Sequence, residues 1–212
     1  MTGALIVLAV TIMAWFAVGS VVNVRKGHAA MRWLQDGLPS IGERTTVRWL
    51  GTTSVVMLVA RAKAPFEQVT VVVFLEPRDS PWLWWLSRRR GRRDTLIVRT
   101  SLRRTPAERF EVIDPSSWSG RDARRASGGE RWSVRGPAAG NGLSTLYKYE
   151  RSVQQADALV SIVAATGVSL RRLSVSPAAP HLELHVDLPP ATIPAAAVFT
   201  ALRTVVERAS AT

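Results

Sequence analysis

Cysteine is absent from the 212 residues, which excludes a disulfide framework, a thiolate zinc site and a cysteine nucleophile. Histidine is scarce, at three residues, and acidic groups are outnumbered, with 16 Asp and Glu against 28 Lys and Arg for a formal charge of +12. A Gly-rich phosphate loop, a helical His-Glu pair, a nucleophile elbow and a dinucleotide fingerprint are all missing. The glycines between Gly136 and Gly142 have neither the Lys-Ser/Thr ending nor the strand-to-helix frame of a phosphate loop. No catalytic constellation emerges and no cofactor is implied, so the sequence leans away from an enzyme. At 47% apolar and 21% charged residues the chain is not a disordered tail and is long enough to bury a core.

Between Gly3 and Val24 there is also no ionisable side chain. Twenty-two helical residues span about 33 Å, close to the roughly 30 Å of bilayer hydrocarbon. We read residues 1–24 as a transmembrane anchor. Cleavage as a signal peptide near Ala17-Val18-Gly19 is the rival reading, weakened by the lack of Lys or Arg ahead of the apolar run. Arg25, Lys26 and Arg32 follow it, so the positive-inside bias places the N-terminus outside and the remaining chain in the cytoplasm, on the cell's inner (plasma) membrane. The helix is expected to continue through residues 25–38 as a juxtamembrane stalk, stopped by Asp36-Gly37-Leu38-Pro39. Met31, Trp33 and Leu34 give that stalk an apolar side, expected to lie on the chain's own domain rather than on a second copy.

From residue 39 to 114 the pattern is extended. Short β-branched or aromatic runs cover 45–50, 54–61, 66–76, 95–102 and 109–113, bounded by turn residues. Short links between successive strands point to an antiparallel meander. Residues 115–144 are rich in Ser, Gly, Arg and Pro and read as a flexible connector, with a brief strand expected around Trp132 and Val134. Residues 145–212 then read as helix, strand, strand, helix. The expected fold is α+β: an N-terminal transmembrane helix, a mostly antiparallel sheet, and C-terminal helices packed on it. Whether the two halves share one sheet is left open by pattern alone.

The positive charge is concentrated in residues 78–135, which hold 15 basic and 7 acidic groups. Within residues 79–93 the segment Ser80-Pro81-Trp82-Leu83-Trp84-Trp85-Leu86-Ser87 runs into Arg88, Arg89, Arg90, Arg92 and Arg93, broken by Gly91. Pro81 suits a first helical position, arginines suit a last turn and Gly91 suits the stop, so a helix of about ten residues is expected. Indoles favour the membrane interface and a polybasic run favours anionic headgroups. The expected membrane-interface set is therefore Trp82, Trp84, Trp85, Leu86, Arg88, Arg89, Arg90, Arg92 and Arg93. The competing reading is that the tryptophans cap the domain's own core and the arginines form a solvated face. The same run also describes a weak backbone-tracking surface for nucleic acid.

His181, Glu183, His185 and Asp187 alternate with Leu182, Leu184, Val186 and Leu188, so a strand places the polar four on one face. The two imidazoles then stand about 13 Å apart, too far to share an ion. A metal site would pair His185 with Glu183 or Asp187 and recruit ligands from a neighbouring strand, with His181 the remaining candidate ligand; the plainer expectation is the wet face of an amphipathic strand. Taken together, the sequence points to a single-pass, membrane-anchored basic protein acting as an accessory or scaffold for another membrane protein at an anionic bilayer. The alternatives are a membrane-tethered nucleic-acid module and a metal-dependent activity around His185 and Glu183.

Overall fold

A computed structural model describes residues 2–127, 132–136 and 142–210. Helix α1 runs unbroken from Thr2 to Gly37, because its first proline is Pro39, and a single 3-10 turn at Leu38–Ser40 ends it. It is the one described helix long and apolar enough to cross a membrane, with a mean hydropathy of 2.5 over its best window. Its two halves differ in environment. Residues 2–18 are all exposed, whereas Gly19, Asn23, Gly27, Ala30, Met31, Leu34 and Gly37 are buried. Spacings of three and four put these seven on one face. The stalk therefore packs on its own domain, as expected from Met31 and Leu34.

Three glycines set how closely it packs. A Cβ at Gly19 would sit 2.2 Å from the Arg78 carbonyl oxygen, one at Gly27 would sit 2.6 Å from the Trp49 ring, and one at Gly37 would sit 2.2 Å from the Phe199 ring. No other residue lets a helix backbone approach its neighbours so closely.

Strands β1 (Gly42–Trp49), β2 (Ser54–Ala62), β3 (Phe66–Phe74) and β4 (Thr95–Leu102) form the anticipated antiparallel meander, with helix α2 (Pro81–Arg89) inserted between β3 and β4. Beyond β5 (Phe110–Ile113) come α3 (Trp118–Ala126), β6 (Ser133–Arg135), β7 (Ser144–Tyr147), α4 (Arg151–Ala164), β8 (Leu170–Val175), β9 (Leu182–Asp187) and α5 (Ala195–Ala209). The two halves share one nine-stranded sheet of order β1-β2-β3-β4-β9-β8-β5-β7-β6, in which every pairing is antiparallel. The joint is β4 against β9, where Ile97 faces His185 and Val98 faces Leu184.

Alternation along these strands sends Val69, Val71, Val73, Leu96, Val98, Leu173, Leu184 and Val186 to one face, under α4, α5 and the buried half of α1. The opposite face carries a smaller cluster of Ile113, Ala123 and Leu146, with Trp132 packed against it. That cluster departs from the connector expected at 115–144. Ser117 Oγ accepts from the Gly120 amide at 3.0 Å and caps α3, whose Ala123 is buried on the sheet, and β6 pairs with β7. Residues 128–131 and 137–141 of the expected connector lie outside the described residues.

Leu34 is fully buried among core side chains while Leu8 is exposed on the free half of the same helix. Leu34→Ala is therefore expected to cost about 2–5 kcal/mol in denaturant unfolding of the detergent-solubilised chain. The same change at Leu8 is expected to move that transition by less than about 0.5 kcal/mol.

Candidate functional site

Where α1 leaves the body it meets α2. The local sequence builds α2 as anticipated: Pro81 occupies its first turn, Arg88 and Arg89 its last, and Gly91 follows with φ +69°, a conformation glycine adopts without strain. Trp82, Leu83, Trp85 and Leu86 form its outer side, with Trp82 64% and Trp85 51% exposed. Trp84 turns inward. Its indole N–H donates to the Glu76 carboxylate at 2.7 Å and its ring lies 6.4 Å from that of Trp15, whose own indole donates to the Arg78 carbonyl at 2.9 Å. The three tryptophans thus divide, two outward and one holding α2 against α1. Leu83 belongs with the outward group, and Trp15 joins the element from α1.

Beneath this contact lies a polar cluster that the sequence pattern does not reveal. Asn23 is fully buried, donates to the Glu76 carbonyl at 3.1 Å and accepts from Arg78 at 3.2 Å. Arg78 grips Asp94 through two parallel hydrogen bonds of 2.8 Å, and Lys26 of α1 reaches the same carboxylate at 2.7 Å. The Glu76 amide also donates to Asp94, and the buried Glu76 carboxylate takes the Trp84 indole together with Arg78 and Arg88. Burial pushes the Asp94 carboxyl up, but the hydrogen bonds from Arg78, Lys26 and the Glu76 amide prevail and hold its pKa below the ordinary 3.8.

The arginines after α2 are spread around it. Arg88 lies 5.5 Å from the Trp84 ring centre, Arg89 lies 3.9 Å from that of Trp85, and Arg92 lies 5.8 Å from that of Trp118. Arg93 donates to the carbonyls of Arg88 and Arg92, closing the helix end. Arg90 is exposed.

The histidines are distributed otherwise than a wet face requires. His185 is only 4% exposed, because β9 sits between β4 and β8 and the polypeptide around Gly91–Arg93 and Ser117–Ser119 covers that side of the sheet. Its Nε2 is 3.7 Å from Glu183. Glu183 is held down at about 2, first by the neighbouring His185 and then, against the opposing effect of burial, by Arg172 and Arg99. His181 stands apart, its Nδ1 accepting from the Leu102 amide at 2.8 Å. Among the described residues no three His, Asp or Glu side chains converge as a metal site would require. Alternation correctly assigns His185 and Glu183 to one face, but it cannot tell whether a second layer covers that face.

Comparison of the chain with protein-family models and with curated proteins finds no match.

Because its folded pKa lies below its unfolded one, Asp94 contributes stability that is complete above about pH 5 and is lost as pH falls through the lowered value. Asp94→Asn is expected to destabilise the chain by about 3 kcal/mol at neutral pH and to shrink the loss between about pH 5 and pH 3. Denaturant titrations at the three pH values check this; parallel wild-type and variant curves would contradict it.

Proposed function

We propose that α1 is a retained single-pass anchor and that α2 rests in the interface of the inner leaflet. Trp82, Leu83, Trp85 and Leu86 enter the headgroup region, and Arg88, Arg89 and Arg90 meet anionic lipid. The basic body is then cytoplasmic, oriented by the charge that follows the apolar run, and serves as an accessory or scaffold for another membrane protein.

One observation carries this reading: the exposed apolar side of α2 stands beside α1 at the level where α1 leaves the body. Residues 2–18, the exposed part of α1, span about 26 Å, a few Å short of the roughly 30 Å of hydrocarbon. Matching the bilayer draws the Gly19–Val24 junction to the membrane surface. Trp84 is packed against Trp15, so α2 moves with the junction. Indole rings are at home at that depth, and each basic residue near an anionic surface gains about 1 kcal/mol. The tether makes even weak surface contact effective, because α2 is already held at high local concentration. Scaffolding follows from rigidity: a body locked to its anchor presents the same surface to any neighbour in the bilayer. Thr11 and Ala14 line an apolar groove beside Trp84, and small side chains of this kind allow a second membrane helix to approach.

The absence of cysteine makes site-specific labelling clean. Environment-sensitive fluorophores on Trp85→Cys and, as a water-exposed reference, Ser161→Cys of the full chain are to be read in nanodiscs containing phosphatidylserine. The label at 85 is expected to emit at shorter wavelength and to be quenched by brominated lipid, whereas the label at 161 does neither. Equal behaviour at both positions would remove α2 from the bilayer.

A further inference from the structure

On the sheet face opposite the main core, the strap Gly91–Arg93 and the first turn of α3 roof a cavity of about 50 Å³. A water needs about 10–15 Å³ of such volume, so there is room for about four water-sized groups, the number of oxygens on a tetrahedral oxyanion. The floor is sheet: Thr95, Ile97, His185 and Asp187 come from the paired strands β4 and β9. Phe74, Ile97 and Trp118 make much of the lining apolar, and its polar groups come from Arg92, Arg93, Arg171 and Ser119 beside His185.

His185 is the telling residue. It is buried, it lines the cavity, and neither Nδ1 nor Nε2 has a hydrogen-bond partner among the described residues. Buried polar side chains are ordinarily satisfied, and one that is not marks a missing partner. Glu183, at 3.7 Å from Nε2, is a charged neighbour of the imidazole but stands beyond hydrogen-bonding distance, and Nδ1 has no hydrogen-bond partner among the described residues.

The remaining groups define what that partner is. Arg92 and Arg93 have no carboxylate partner among the described residues; Arg93 engages only carbonyls, and Arg92 lies over the Trp118 ring. Asp187 is the single carboxylate on the wall, and both of its oxygens are taken by Arg171. Ser119 is buried, its hydroxyl 3.5 Å from Ser117 Oγ, and it belongs to the first turn of α3, where the helix dipole favours negative charge. A cation entering here faces two guanidinium groups that have no carboxylate partner among the described residues, and an apolar group leaves the imidazole unsatisfied.

We infer that this cavity is a binding site for a phosphate-sized oxyanion, held by the His185 imidazole, the Arg92 and Arg93 guanidinium groups and the first turn of α3. The phosphate can belong to a soluble ester or to a lipid headgroup. Only the headgroup source rests on the membrane contact proposed for α2; the site itself does not.

The full chain in phosphate-free detergent is to be titrated with inorganic phosphate by calorimetry at constant ionic strength, with chloride as control. In parallel, the chain in nanodiscs is compared across phosphatidylcholine doped with phosphatidic acid or with phosphatidylserine, reading the shift in melting temperature. Saturable phosphate binding is expected, weakened at least about tenfold by Arg92→Gln/Arg93→Gln and by His185→Phe. The double arginine variant lies on the half-buried strap and keeps the inference testable should His185→Phe fail to fold; far-UV circular dichroism checks that each variant is folded. Phosphate binding without a phosphatidic acid preference assigns a soluble ester, and leaves the contact of α2 with lipid to its own test. A variant-sensitive preference for phosphatidic acid over phosphatidylserine assigns a headgroup. No saturable binding of either probe, or binding unchanged in a folded arginine variant, overturns the site.

Discussion

The structure depends on the buried contact between α1 and the loop that carries Glu76 and Arg78. Asn23 is the only strongly polar side chain in the middle of an apolar helix face, and it is fully buried against a backbone carbonyl and a guanidinium group. Around it Arg78, Asp94, Lys26 and Glu76 satisfy one another. A cluster of this kind is exacting, since a charge left without its partner in a desolvated site costs several kcal/mol and shape alone does not repair it. It therefore specifies a single register between α1 and the body. The glycines at 19, 27 and 37 act in the same direction by allowing contact distances that any side chain would block.

Continuity through that contact joins two environments. The same helix is exposed and apolar from Thr2 to Val18 and part of the main core from Ala30 to Leu34. There is no linker between the segment that suits a bilayer and the segment that completes the sheet's cover, so a tilt of one is a tilt of the other. The placement of α2 follows from this: Trp84 bridges Glu76 and Trp15, leaving the other side of a short helix apolar and outward. The bridge also brings the strap after α2 over the second face of the sheet, where it shields His185.

Much of this architecture was legible in the sequence, because it rests on local rules. Period-two runs marked the strands, Pro81 and Gly91 bounded α2, and Met31 and Leu34 announced which side of the stalk is buried. The unread parts are those that depend on distant partners. Pairing of β4 with β9, which unites the halves, follows from shape and not from any local motif. Helix α3 was hidden by its three arginines and its glycine, and Gly120 is there because a Cβ would lie 2.0 Å from the Asp114 carbonyl. The role of Asn23 was masked for the same reason: in a list of residues it is one amide in an apolar run, and only the fold sets Arg78 opposite it. For His185, alternation gave the face and left its covering unknown.

The relation on which everything else rests is the locking of α1 to the body through the Asn23 cluster. Spin labels on Val7→Cys and Arg203→Cys, both exposed positions on α1 and α5, report it directly by pulsed electron–electron double resonance on the full chain in nanodiscs. A single narrow distance distribution is expected, broadening when Asn23 or Asp94 is replaced by Leu. A broad distribution in the unaltered chain would show that α1 swings freely at Gly19 and would contradict that locking.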